Sequence, residues 1–261
     1  MNDNYCHEDN TLIYITENIP GPTDFSKEYE SLNEKFNSQI MKHCECNLSC
    51  VLESCMCLEG HRSTNYESVK KNIEQSMVPI NECNSLCSCI PGCGNRIVQR
   101  GPNQYLNVKP CANPLKGLGL FAGNTLVEGT FVCEYAGEVI TRKQAETRQQ
   151  YNKENGKMNY IFCLNEHSND KVIQTFVDPS CFGNIGRYIN HSCEPNCIII
   201  PVRVDSLVPK LAIFTCLNVS PDEELCIDYG CNRSISNDKV HRKKCFCGSQ
   251  VCRKFMPFDQ Y

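Results

Sequence analysis

The stretch from Gly183 to Asn196 reads GNIGRYINHSCEPN and decides how the whole chain is interpreted. Its first part is mostly apolar, and the part around Cys193 changes abruptly to small and amide-bearing side chains. Two further patterns follow, ELCIDYG at 224–230 and a C-x-C-x4-C group at 245–252. Because a tetrahedral zinc ion needs four ligands, the three cysteines of the last group leave one ligand to be found elsewhere in the chain.

In this order, RYINHSCEPN, ELCIDY and the thiol-rich tail resemble the SET-domain protein lysine methyltransferases. The resemblance covers nearly the whole chain and includes EYAGEV at 134–139 and FVDP at 176–179. Within the SUV39-like class, it is closest to the methyltransferase part of SETMAR-type proteins. It implies a mainly β, SET-domain fold of small β-sheets with a pseudoknot. A zinc-cluster pre-SET segment would precede this fold and a zinc-binding post-SET tail would follow it.

Composition excludes several classes of protein. The chain has 261 residues, 41% of them hydrophobic, which is enough to bury one main domain with attachments. No apolar run approaches the roughly 18 residues that predict a transmembrane helix. Residues 1–8 have neither the basic nor the apolar part of a secretory signal. We therefore expect an intracellular protein with no membrane partner.

The 22 cysteines favour zinc over disulfides, because they are closely clustered and no secretory signal precedes them. Bound thiolates also change the formal net charge of −4. Nine thiolates with three Zn²⁺ add three negative charges and four with one Zn²⁺ add two, which gives about −9. So acidic a protein is poorly suited to bind nucleic acid directly and well suited to a basic peptide.

Nine cysteines form two groups before the main domain. They are Cys44, Cys46, Cys50, Cys55, Cys57, Cys83, Cys87, Cys89 and Cys93. Nine cysteines cannot be divided into separate sites of four ligands each. Three zinc ions need twelve zinc–sulfur bonds in total. Six terminal thiolates with one bond each and three bridging thiolates with two bonds each supply that number. This pattern resembles the pre-SET segment of the family, in which the metal is structural and supplies folding free energy. The polar residues 58–82 predict a loop between the two groups.

The resemblance implies a fourth zinc ion, bound by Cys193 together with Cys245, Cys247 and Cys252. The remaining cysteines are expected to be free thiols, with Cys133 among the small residues of the core.

We expect four parts of the chain. They are an N-terminal flanking arm (1–43), a pre-SET zinc-cluster region (44–105), a catalytic SET domain (106–231) and a post-SET region (232–261). The patterns of the sequence predict helices at 141–155 and, with poorer apolar spacing, at 25–42, and strands at 12–15, 129–140, 159–164, 198–202 and 210–215.

Residues expected to contact S-adenosylmethionine are carried over from the family. They are Lys116, Gly117, Leu118, Tyr160, Arg187, Asn190, His191 and Phe246. The pair Asn190 and His191 would bracket the adenine and ribose, and Phe246, between two zinc ligands, would lie on the adenine. Leu118 occupies a position where the family often has Trp or Arg, so any side-chain contact it makes must differ. Tyr160 has an alternative interpretation as a core residue.

Tyr229 is expected to be catalytic, with Tyr135 lining the same channel. The resemblance implies direct displacement, in which amine nitrogen, methyl carbon and sulfur lie near a line with the reacting atoms ~3 Å apart. An apolar channel and the adjacent sulfonium both lower the pKa of the lysine amine, so no strong general base is required. The alternative is that Tyr229 is a core residue with a hydrogen-bonded hydroxyl.

Ile227 occupies the position at which the family controls how many methyl groups are added. A Phe there permits more methylation and a Tyr restricts it. Isoleucine has no hydroxyl and is smaller than phenylalanine, so we expect di- or trimethylation. The alternative is that a neighbouring side chain fills the space.

The expected function is therefore histone-lysine methylation, with a histone tail peptide and chromatin as partners and a nuclear, chromatin-bound location. A methyltransferase for a non-histone protein and an inactive chromatin-binding module remain as alternatives. The basic stretch 239–244 fits either a nuclear localisation signal or an approach to the cofactor carboxylate.

Overall fold

The computed structural model describes residues 11–58, 66, 79–168, 171–230 and 243–257. The predicted loop at 58–82 and the basic stretch at 239–244 fall largely outside these residues. Within the described ranges, no helix is both long enough and apolar enough to cross a bilayer.

The described residues form mainly short strands. The strands are β1 (Ile13–Tyr14), β2 (Ile19–Pro20), β3 (Ile80–Asn81), β4 (Leu106–Pro110), β5 (Leu118–Ala122), β6 (Phe131–Glu134), β7 (Glu138–Ile140), β8 (Phe162–Ser168), β9 (Lys171–Asp178), β10 (Phe182–Gly183), β11 (Asn190–His191), β12 (Cys197–Arg203), β13 (Lys210–Thr215) and β14 (Cys226–Ile227). Two α-helices are described over their full length, α1 (Lys27–Phe36) and α2 (Arg142–Glu154).

Two four-stranded sheets provide the framework. One has the strand order β3-β12-β13-β6 and the other β2-β7-β9-β8, while β4-β5, β1-β10 and β11-β14 are two-stranded. The largest apolar core draws on strands from both sheets and includes Val132, Val177 and Ile213, each fully buried. The mainly β fold predicted from the sequence is thus confirmed, and so is the antiparallel pairing of β12 with β13.

Helix α2 begins and ends where the sequence predicts. Thr141 accepts a hydrogen bond from the backbone of Gln144, whose side chain in turn accepts from the backbone N–H of Thr141. This capping box satisfies two N–H groups that would otherwise lack partners. Only Ala145 of the helix is buried, so its charged residues lie at the surface. Helix α1 occupies the middle of the region predicted at 25–42 and buries no residue completely.

The predicted strand at 129–140 is wrong in its continuity, because the chain forms β6 and β7 in two different sheets. The break lies at Tyr135-Ala136-Gly137. A Cβ atom on Gly137 would lie 2.5 Å from the backbone carbon of Asp178, so the two backbones can cross there only at a glycine. Tyr135 consequently lies at the seam between the sheets.

The N-terminal residues pack on the main domain through backbone pairing. Strand β1 pairs in parallel with β10, and β2 pairs in parallel with β7. Ile40 continues this contact by donating its N–H to the backbone oxygen of Asp205 at 2.6 Å. The side chain of Asp205 accepts from Ser85 at 2.7 Å, which also ties the cysteine-rich region to the same turn.

Candidate active site and zinc sites

Strand β11, which contains Asn190 and His191, is the centre of the candidate site. It pairs in parallel with β14, so that Asn190 lies opposite Cys226 and His191 opposite Ile227. This pairing brings together the two motifs that the sequence separates by more than thirty residues. Tyr229 lies two residues beyond the end of β14 and contacts β11, since its backbone N–H donates to Nδ1 of His191.

The side chain of Asn190 is fixed by three acceptors. Its Nδ2 donates to the backbone oxygen of Leu118 at 3.0 Å, to Oε1 of Glu224 at 2.9 Å and to Sγ of Cys111 at 3.4 Å. Glu224 also forms an ion pair with Lys116, and both side chains are largely buried. These contacts hold the amide of Asn190 against Leu118 and Glu224.

The Gly117-Leu118-Gly119 turn presents two different faces. A Cβ on Gly117, whose φ is +71°, would meet nothing within 4 Å, and Leu118 keeps 43% of its surface exposed. Gly119 is crowded, since a Cβ there would lie 2.9 Å from Oε1 of Glu224. The turn is therefore packed against the Asn190 cluster on one side and open on the other.

His191 is almost completely buried, with 4% of its surface exposed. Its Nδ1 accepts the backbone N–H of Tyr229 at 3.3 Å, and its Nε2 lies 3.3 Å from Sγ of Cys193. Because Nδ1 is an acceptor, Nε2 carries the proton and donates to the sulfur. Burial lowers the pKa of His191, in agreement with a neutral ring.

Two tyrosine hydroxyls are held by backbone carbonyls in this region. Tyr229 donates its hydroxyl to the oxygen of Ile189 at 2.7 Å, and Tyr135 donates to the oxygen of Tyr160 at 2.6 Å. Tyr229 keeps 38% of its surface exposed, whereas Tyr135 keeps only 6%. Burial raises the pKa of Tyr135 well above its usual value, so this phenol stays protonated at neutral pH.

Arg187 and Ile227 line the surroundings of these tyrosines. The Arg187 guanidinium lies 4.6 Å from the centre of the Tyr160 ring, a cation–π distance. Ile227 is 2% exposed and belongs to the same apolar core as Tyr135.

The four cysteines expected to bind the last zinc ion lie together. The sulfurs of Cys193, Cys245, Cys247 and Cys252 are all within 4.8 Å of one another. Sγ of Cys193 also accepts hydrogen bonds from the backbone N–H and Nε of Arg253, at 3.3 and 3.4 Å. A sulfur with several N–H donors is a thiolate environment, so this donor set fits Zn²⁺. Phe246, between two of the ligands, is 38% exposed.

The cysteines between 44 and 93 also converge. Sulfur atoms within 4.8 Å of one another form three overlapping groups, which are Cys44-Cys46-Cys50-Cys55, Cys44-Cys57-Cys83-Cys87 and Cys44-Cys50-Cys83-Cys89. Cys44, Cys50 and Cys83 recur in more than one group, as bridging ligands must. Cys93 lies beside them, since its sulfur accepts the backbone N–H of Cys50 at 3.3 Å.

Two side chains next to this cluster were not singled out by sequence reasoning. Nε of Arg96 donates to the sulfur of Cys89 at 3.3 Å, while its terminal nitrogens donate to the backbone oxygens of Cys83 and Asn84. Asn95 donates to the sulfur of Cys83 at 3.3 Å. These N–H groups offset the negative charge of clustered thiolates. The available sequence signal was an arginine and an asparagine within three residues of Cys93.

Sequence reasoning also missed Glu224 and Cys111 as partners of Asn190. Glu224 stands in the quoted ELCIDYG stretch, but nothing in the sequence indicates that its carboxylate reaches an amide and a lysine from two other segments. Burial raises the pKa of Cys111 to about 11, so this thiol remains neutral beside the carboxylate.

Comparisons with known proteins agree with this architecture. Residues 117–230 match the model of the SET domain, and residues 2–96 match that of the Pre-SET motif. Over 230 residues the chain is 41% identical to the histone-lysine N-methyltransferase SETMAR of Bos taurus, a match that covers 83% of this chain and 74% of the bovine protein.

Two solved structures are similar to the chain. The methyltransferase domain of human SETMAR superposes with a TM-score of 0.74 at 34% identity, covering 95% of this chain and 90% of that one. Arabidopsis thaliana SUVH6, crystallised in complex with SAM, superposes with a TM-score of 0.71 at 26% identity. That match covers 97% of this chain and 52% of SUVH6.

Proposed function

The chain belongs to the SET-domain family of histone-lysine methyltransferases, and from that premise we propose that it transfers methyl groups from S-adenosylmethionine to a lysine side chain of a histone tail. The observation that carries this proposal is the arrangement around β11. One short strand holds Asn190 against the Gly117-Leu118-Gly119 turn and His191 against both the backbone of Tyr229 and the cysteine group of the tail.

The cofactor would lie on the open side of the Gly117-Leu118-Gly119 turn. Asn190 and His191 would bracket the adenine and ribose, Phe246 would offer an exposed aromatic surface to the adenine, and Lys116 would lie beside the methionine end. Arg187 and Tyr160 would complete this group. When bound, S-adenosylmethionine supplies a methyl group on sulfur, which moves to the lysine nitrogen as the C–S bond breaks and the amine loses a proton.

The two tyrosine hydroxyls would orient the lysine amine. Tyr229 and Tyr135 each donate their hydroxyl proton to a backbone carbonyl, which leaves each phenolic oxygen as the acceptor end toward the amine N–H groups. Accepting those bonds directs the nitrogen lone pair toward the methyl group. A protonated, buried phenol at Tyr135 also keeps a negative charge out of the channel, which favours the neutral amine that the reaction needs.

Four zinc ions complete the proposal. Cys193, Cys245, Cys247 and Cys252 would bind one. For the other three, Cys44, Cys50 and Cys83 would each bridge two ions, and the third ion would take Cys89 and Cys93 as its terminal ligands. This partition uses all nine cysteines and supplies twelve zinc–sulfur bonds. Every position is then filled by protein, so these ions are structural.

The histone tail would bind along β8. Among the described strands, β8 lies at the edge of its sheet beside β9, so its other side can pair with an extended peptide. A negatively charged protein attracts a lysine- and arginine-rich tail. A histone substrate would place the enzyme on chromatin in the nucleus. The four parts expected from the sequence, 1–43, 44–105, 106–231 and 232–261, are retained in this proposal.

Transfer of tritiated methyl groups to core histones tests the function. We expect label to enter histone H3 or H4 with the wild-type protein and to fall by at least about a hundredfold with Tyr229→Phe, which removes one oriented acceptor. Tyr151→Phe, a change to an exposed tyrosine on α2, is the matched control. A wild-type protein that binds the cofactor but labels no histone would favour the non-histone or inactive alternatives.

A further inference from the structure

Arg253, in the C-terminal tail, contacts two segments of the main domain at once. Its backbone N–H and its Nε donate to Sγ of Cys193, and its Nη2 donates to Oδ2 of Asp228 at 2.8 Å. Cys193 is one of the four clustered sulfurs, and Asp228 is the residue directly before Tyr229. One side chain therefore joins the tail, a zinc ligand and the peptide unit that carries the catalytic tyrosine.

His191 provides a second connection between the same groups. Its Nε2 donates to Sγ of Cys193 and its Nδ1 accepts from the backbone of Tyr229. Oδ1 of Asp228 lies 3.6 Å from Nδ1, beyond hydrogen-bond range, so the carboxylate is free to be held by Arg253. The sulfur of Cys193 is thus linked to residues 228–229 by two independent side chains.

We infer that Arg253 is a positioning residue for methyl transfer, an inference that rests on the proposed function. By holding Asp228 against the zinc ligand, Arg253 fixes the backbone from which Tyr229 extends, so that closure of the tail also places the catalytic hydroxyl. An ion pair with 34% and 35% of its side chains exposed stabilises a fold little by itself. The planar guanidinium nevertheless sets the direction of both contacts, and small errors of alignment lower rates strongly.

The test is a double-mutant cycle with Arg253→Ala, Asp228→Asn and the double variant. Three quantities are measured for each protein: the single-turnover methylation rate of a histone peptide at saturating cofactor, the dissociation constant of S-adenosylmethionine, and the rate of zinc release to a chelator. Asp228→Asn keeps the size of the side chain and removes only its charge. Lys254→Gln, at the exposed neighbouring position, is the control for loss of positive charge.

We expect each single variant to lower the single-turnover rate about fivefold, the factor that corresponds to ~1 kcal/mol of coupling. The double variant should be no slower than either single variant, and all should retain four zinc ions. Arg253→Lys should not restore the rate, because one ammonium cannot reach the sulfur and the carboxylate in fixed directions. Lys254→Gln should behave as wild type.

Additive losses, about 25-fold in the double variant, would overturn the inference, since they show that the two residues act separately. Faster zinc release with an unchanged methylation rate would also overturn it, because Arg253 would then serve only the metal site. An inactive wild-type protein would refute the proposed function and the inference with it. An active wild type with unaffected variants would refute the inference alone.

Discussion

The two cysteine regions offer a metal ion the same thiolate ligands in opposite settings. In the first region Cys44, Cys83 and Cys93 are at most 1% exposed, and all nine sulfurs come from residues 44–93. In the second region all four cysteines are only partly buried, and one of them, Cys193, comes from the main domain. A zinc site built from one segment gives that segment a core. A zinc site whose ligands come from two segments of the chain links those two segments.

Removal of zinc should produce the largest difference between the two cysteine regions. Chelation should unfold residues 44–93, since structural zinc contributes about 10–16 kcal/mol of apparent binding free energy and apolar side chains are few there. The other strands of the main domain, which have an apolar core of their own, should persist, and only β3 should leave its sheet. Hydrogen exchange read by mass spectrometry, together with metal analysis, checks both points. Fewer than three zinc ions in the folded protein would contradict the proposed four.

Cys193→Ser should have the next largest effect, confined to the second region. It should release the tail from residue 243 onward and weaken binding of S-adenosylmethionine by about 10–100-fold, because Phe246 loses its anchor. Calorimetry and limited proteolysis measure the two changes. Cys181→Ser, at an exposed cysteine outside both groups, is the matched control. Unchanged cofactor affinity in Cys193→Ser would show that the tail does not close the site.

Arg96→Lys should show that the first region also depends on residues that bind no metal. Lysine keeps the charge but cannot donate to the Cys89 sulfur and to the carbonyls of Cys83 and Asn84 together. We expect zinc release from this cluster to become about tenfold faster. This factor is the lower limit of the effect that follows when a metal ligand loses a supporting hydrogen bond. Methylation per zinc-loaded molecule should not change. Arg142→Lys, at an exposed arginine on α2, is the control.

Ile227→Tyr should leave both zinc regions intact and alter only the product. The wild-type protein should give mainly di- and trimethyl-lysine, and the added hydroxyl should shift the product toward monomethyl-lysine, as read by mass spectrometry of a peptide. Because Ile227 is fully buried, overpacking should cost about 1–3 kcal/mol of stability. Ile227→Phe has nearly the same added volume and no hydroxyl. A wild type that stops at monomethyl-lysine would show that another residue fills the pocket.

Features of local origin were predictable from the sequence. Helix α2 was predicted because its charged and polar residues are consecutive and Gly156 follows them. The grouping of the nine cysteines between 44 and 93 was predicted because zinc takes four ligands, whereas the place of Cys193 beside the tail cysteines came from the family resemblance. The division of 129–140 between two sheets was missed, because it depends on the crossing of Gly137 with Asp178, which are distant in sequence. Arg253 and Glu224 were missed for the same reason, because their partners lie 25 to 113 residues away in the sequence. The identity of a charged residue does not indicate which distant residue it contacts.

The number of residues between Cys193 and its partners in the sequence also determines the order in which parts of the protein can fold during synthesis. Cys245 follows Cys193 by 52 residues and Arg253 follows it by 60. At roughly 5–20 residues per second, a ribosome needs about 3–12 s to add that length. The strands that precede 193 can pair in this interval, but the site around Tyr229 cannot close. With the proposed zinc site, a nascent chain would stay inert until its last cysteines emerge and bind a zinc ion, so metal supply would limit maturation of the enzyme.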